Sequence, residues 1–154
     1  MGGSRPAVVR VGFVPPVVLL RHVVAPNGAR AGAEVEGMST HLRDGGRAVL
    51  VYIDRAIPPP SFTALSHFRR FIERERALEC IALVAPAGLG SAVANGVVER
   101  LVKFTRLAGR LGTFNDLEAA CAWLAASSSE AVDAGPIADA FTALLELEGP
   151  PVVR

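Results

Sequence analysis

The residues best suited to chemistry gather in one stretch, Arg47 to Leu83. An apolar run ends at Asp54, Pro58-Pro59-Pro60 follows, and Ser61 and Thr63 then open a segment carrying His67, Arg70 and Arg74. An aspartate closing a buried strand is the position of a phosphoacceptor. That chemistry also needs an acidic pair to hold magnesium, and a hydroxyl and a lysine closing later strands. Here the next strand closes on Ala85-Pro86 and the single lysine, Lys103, falls in a predicted helix, so the reading fails. Ser61 and Thr63 are better placed, because a phosphate on either would meet free backbone N–H groups and the positive end of a helix dipole. The simpler alternative makes Ser61 a helix N-cap worth about 1 kcal/mol. Thr63, His67, Arg70 and Arg74 recur at i, i+4, i+7 and i+11. Such a stripe could face an anionic partner; with Glu73 and Glu75 beside it, it also reads as an ordinary solvated helix face.

Other signatures of chemistry are incomplete. Gly88-Leu89-Gly90 resembles the start of a dinucleotide loop, but the third small residue is replaced by Val93 and the loop follows a late strand. There is no phosphate-binding G-x-x-x-x-G-K-[ST], no G-x-S-x-G nucleophile elbow, and no H-x-x-x-H pairing among His22, His41 and His67. Cys80 and Cys121 lack metal-ligand or C-x-x-C spacing and read as buried, reduced thiols. The expectation is a protein with no catalytic centre, no cofactor and no metal.

The elements that position Ser61 to Arg74 follow from hydrophobic patterning. Ala48 to Asp54 and Cys80 to Ala85 are continuous apolar runs, as expected of strands covered on both faces, and the amphipathic segment between them makes a parallel crossover. Val8 to Val14 and Val17 to Val24, separated by Pro15-Pro16, read as an antiparallel hairpin. A helix is expected from Ala31, with Val35, Met38 and Leu42 inward, stopped by Asp44-Gly45-Gly46. In the helix after Ser61, Phe62, Leu65, Phe68, Phe71 and Ile72 fall on the inward arc. A further helix should start near Ser91 with Val97, Leu101 and Phe104 inward, before a short strand around Gly109 to Phe114. Asn115 with Glu118 three residues on suggests a capping box for a helix through Trp123. Gly135-Pro136 opens a last helix striped by Ile137, Phe141, Leu144 and Leu145.

The totals, 51% apolar and 20% charged in 154 residues, suit one globular domain. Residues 7–126 are expected to form the α/β domain, after a flexible start at 1–6 and before a helical extension and tail at 127–154. The formal charge of +1 gives no general case for nucleic acid. It is unevenly spread: residues 1–110 hold 15 bases and 8 acids, whereas 111–154 hold one base and 7 acids, a distribution open to self-association. Arg outnumbers Lys 15 to 1, which reads as GC-rich coding. The apolar stretch Val11 to Val24 is interrupted by prolines and is shorter than the ~20 residues a spanning helix needs. No membrane span is expected, and a cytoplasmic location is.

This order of elements, with Ala48-Val-Leu-Val-Tyr-Ile-Asp54, the proline-bearing approach to the second helix, Ile81-Ala-Leu-Val-Ala85, and the closing Phe114-Asn-Asp-Leu-Glu-Ala-Ala-Cys-Ala-Trp123-Leu124, resembles the bacterial SpoIIAA-like branch of the STAS superfamily over residues 8–126. The resemblance implies a mixed β-sheet of about five strands flanked by helices, with no catalytic centre and a role in protein interaction or regulation. The related CRAL-TRIO lipid carriers supply the alternative, a small apolar ligand held in a cavity lined by residues such as Phe68, Phe71 and Phe104. In anti-sigma-factor antagonists a phosphorylated Ser or Thr opens the second helix within Asp-Ser-Ser/Thr-Gly. The matching place here is Ser61 to Thr63, without that motif. The expected binding surface is therefore Ser61, Thr63, His67, Arg70 and Arg74, facing a protein partner or another copy. The helix after Gly135 lies beyond the family's core and must cover either the domain's own sheet or a second copy.

Overall fold

Two β-branched runs meeting at Pro15-Pro16 form the hairpin that starts the sheet, β1 (Val11–Val14) against β2 (Val17–His22). The computed structural model describes residues 10–22, 27–53, 61–85, 103, 105–128 and 132–146. From β2 the chain enters α1 (Gly28–Arg43). This helix starts three residues before the expected Ala31, because the Asn27 side chain accepts from the Arg30 N–H at 2.9 Å and caps the earlier turn. It ends at Asp44 and Gly45, whose φ of +109° an L side chain would resist. Next come β3 (Ala48–Ile53), α2 (Phe62–Arg74), β4 (Cys80–Val84) and β5 (Leu111–Phe114). The chain continues into α3 (Leu117–Ser127) and α4 (Ala134–Glu146). Asp54, the Gly88-Leu89-Gly90 loop and the helix expected near Ser91 lie outside the described residues.

The protein is thus an α/β domain with a mixed five-stranded sheet, ordered β1-β2-β3-β4-β5. The first pair is antiparallel and the rest are parallel, in the register Leu19↔Leu50↔Ala82↔Gly112. A sheet that grows in one direction through right-handed crossovers receives its crossover helices on one face. Accordingly α1 and α2 share a face, where Val35, Met38, Leu42, Phe71 and Ile72 pack on Val18, Leu20, Val49 and Ile81. The other face would be bare. α3 and α4 cover it, placing Ala120, Cys121, Leu124, Ile137, Phe141 and Leu144 on Val17, Leu19, Leu50, Ala82 and Val84. The last helix therefore packs on the domain's own β1 and β2. Double coverage explains why β3 and β4 are apolar at consecutive positions.

Two local expectations are corrected. The cap of α3 is Asp116, whose Oδ1 accepts from the Ala119 N–H at 2.7 Å, so Glu118 sits one residue short of the position a capping box needs. Phe62, expected on the inward arc of α2, is 85% exposed. Along that arc burial deepens through half-buried Leu65 and Phe68 to Phe71 and Ile72 at 3% and 2% exposed. Ala64 in the first turn is 0% exposed as well, so the start of α2 also has a buried side. At about 100° per residue Phe62 lies opposite Phe71 and on the side of exposed Arg69 and Glu73. Among the described residues no helix is long and apolar enough to cross a membrane.

Candidate interaction site at the start of the second helix

Ser61 adopts an extended backbone, φ −63° and ψ 159°, and its Oγ accepts from the Ala64 N–H at 3.2 Å. It is the N-cap of α2 and is exposed. Thr63, also exposed, stands over the first residue of α1: a Cβ built on Gly28 would lie 2.7 Å from Thr63 Cγ2. One turn on, the half-buried His67 ring lies over Gly32, 3.5 Å from where a Cβ would stand. At the far end Arg74 donates from Nη2 to Ser39 Oγ at 3.0 Å. The 35-residue separation between Arg74 and Ser39 also relates Thr63 to Gly28 and His67 to Gly32. α1 and α2 therefore run parallel, and the i, i+4, i+7, i+11 spacing matches the seam between them, since heptad-like spacing keeps one helix face against a neighbour.

The five candidate residues are not gathered into one compact centre. Ser61 and Thr63 stand at the start of α2, His67 covers the seam, and Arg70 is exposed. Arg74 is tied to Ser39 and, through Nε at 3.0 Å, to the carboxylate of Glu75. At 1.5 Å per residue, Ser61 and Arg74 are about 20 Å apart along the helix. What does gather is a rim: exposed Ser61, Phe62 and Thr63, beside the start of α1. Neither α1 nor α2 has an acidic residue in its first turn, so the dipoles of two parallel helices point the same way without carboxylate compensation.

Phe62 is the functional candidate that sequence reasoning missed, because its apolar type counts toward the inward arc although at about 100° per residue it lies opposite Phe71 and on the side of exposed Arg69 and Glu73. The Gly28-x-x-x-Gly32 spacing was the available signal for the seam, since paired small residues permit close helix approach.

Elsewhere the chemistry is muted. Burial pushes the Cys80 thiol up to about 11, with Glu79 adding to the effect and Arg110 opposing it. Burial, then Asp133, also raises Cys121. Phe71, one of the residues expected to line a ligand cavity, is packed with Ile72, Leu78 and Ile81, while Phe104 lies outside the described residues. Among the described residues no three of His, Cys, Asp and Glu are grouped to hold a metal ion. No family model matches the chain, and no curated protein matches it.

Proposed function

We propose that the protein is a non-enzymatic interaction or regulatory module of the STAS type, engaging a protein partner through the rim at the start of α2. The observation that carries the reading is Phe62, a phenylalanine 85% exposed between two exposed hydroxyl residues. A large aromatic side chain held in water on a helix end is a ready anchor, since interface energy concentrates in a few aromatic residues ringed by polar ones. Ser61 and Thr63 supply that polar ring, and the uncompensated helix N-termini favour acidic groups on the partner. The sequential mixed sheet and the closing helix through Trp123 agree with the element order from which the resemblance was drawn.

The test is a quantitative pull-down from a lysate of the native host with wild-type protein, Phe62→Ser, Ser61→Ala and Ser61→Asp. A partner recovered by the wild type should be reduced at least about tenfold by Phe62→Ser, the effect of losing one interface anchor of about 1.4 kcal/mol or more. Unchanged recovery by all three variants would remove the rim from the function.

A further inference from the structure

We propose that the protein associates with further copies of itself through unlike charged faces, the arginine-rich edge where the parallel strands begin receiving the acidic outer surface of α3 and α4 of a neighbouring copy. The inference goes beyond the α2 rim and uses a different part of the molecule.

The turns that lead into β3, β4 and β5 lie side by side, because these strands are neighbours and neighbouring strands are about 4.8 Å apart. Arg43, the last residue of α1, and Arg47 flank the first turn, Arg74, the last residue of α2, and Arg76 belong to the second, and Arg106 and Arg110 to the third. The acids among them are Asp44, Glu75 and Glu79. The Glu75 carboxylate is engaged by Arg74 and by Ser39. Arg106 is turned onto backbone carbonyls, Leu78 O at 2.8 Å and that of Glu75. Among the described residues, exposed Arg43, Arg76 and Arg110 have no carboxylate within ion-pair distance. Burial and the charge of Arg76 both weaken the proton affinity of Arg106, so like charges are held close together here.

The opposite sign lies on the helical layer covering the other face. The described residues from Leu111 onward include no Lys or Arg, while Asp116, Glu118, Asp133 and Asp139 are exposed. Asp116 and Asp133 also accept backbone N–H groups at the starts of α3 and α4. Glu118 and Asp139 are left as outward charges. Two observations favour an acidic protein surface over a nucleic-acid backbone as the occupant of the arginine edge. Asp44 and Glu79 interrupt the arginines and would repel a continuous phosphate track, and the three turns offer no aromatic side chain on which bases would stack. The acidic surface that the molecule itself supplies is the complement. Because each contact joins two different patches, association builds rings or chains unless rotation closes a pair. It must also weaken as salt shortens the Debye length.

The experiment is sedimentation velocity at 50 and 500 mM salt on the full chain, with two charge-reversed variants. One carries Arg76→Glu and Arg110→Glu, the other Glu118→Lys and Asp139→Lys, all exposed positions whose folding is checked by far-UV circular dichroism. The wild type should grow in mass with concentration at 50 mM and return to a single chain at 500 mM. Each variant alone should remain a single chain at 50 mM, and an equimolar mixture should associate, because the reversed edge of one repels acids while the intact edge of the other still receives them. A wild type that remains a single chain at low salt and high concentration overturns the proposal, as does persistent association of the Arg76→Glu, Arg110→Glu variant. A single-chain wild type that instead binds a single-stranded oligonucleotide, in a manner lost on reversing Arg76 and Arg110, would reassign the edge to nucleic acid.

Discussion

Ser61 shows how one hydroxyl can be read two ways at the residue scale. Its bond to the Ala64 N–H gives it a structural role, so Ser61→Ala should lower stability by about 1 kcal/mol in urea unfolding. Ser61→Asp keeps an acceptor and adds a charge favourable to the helix dipole, and should be at least as stable as the wild type. If Asp proved as destabilising as Ala, the capping assignment would be wrong. The thiols give a pH signature. Cys80 is lifted from the ordinary 9.0 to about 11 in the folded chain, so between those values the unfolded chain releases a proton that the folded chain retains. The unfolded state then binds fewer protons, and stability falls as pH rises from about 9 to about 11, by on the order of 1 kcal/mol after allowance for partial solvation. Below 9 the contribution is fully present. Cys80→Ala should flatten that alkaline slope in a series of urea titrations; an unchanged slope would assign it to other groups.

At the scale of elements, the strands were legible because double coverage leaves a coarse mark, the consecutive apolar residues of β3 and β4. The seam between α1 and α2 was not, because Thr63, His67 and Arg74 are polar, which in a sequence marks a solvated face, while their neighbours Gly28, Gly32 and Ser39 are too small to form an apolar stripe. Phe62 departs from the expectation because the expected arc is too wide: at about 100° per residue it lies opposite Phe71, while Ala64 of the same turn is 0% exposed. The seam makes a coupling prediction. Gly28→Ala brings a methyl against Thr63 Cγ2 and should cost about 1 kcal/mol more with Thr63 present than in a Thr63→Ala background, as read by a double-mutant cycle. Simple additivity would mean that the helices do not meet there. On the opposite face, Phe141 is 2% exposed and its carbonyl accepts from Arg21 Nη1 at 2.7 Å. Phe141→Ala should therefore cost about 3–5 kcal/mol, and a loss below 1 kcal/mol would show that α4 is not part of the core.

At the scale of the whole molecule, the sequential order of the sheet explains the place of the last two helices. The described crossover helices, α1 and α2, lie on one side, and α3 and α4 close the other. The same arrangement sorts charge, since His41, Arg43 and Arg74 lie at helix C-termini and Glu118 at an N-terminus, where each complements a dipole. The proposed site was less legible than the fold because a surface that works by binding would need no fixed spacing of reactive groups. Its residues become visible only when the structure separates exposed Ser61, Phe62 and Thr63 from buried Ala64, Phe71 and Ile72. The most direct test of an interaction module, as against a ligand carrier, is native mass spectrometry of the protein purified from its natural host, before and after denaturation. The module reading predicts native masses made up of this chain with a second protein or with further copies, and denaturation that releases only polypeptides. Stoichiometric release of a small organic molecule would contradict it.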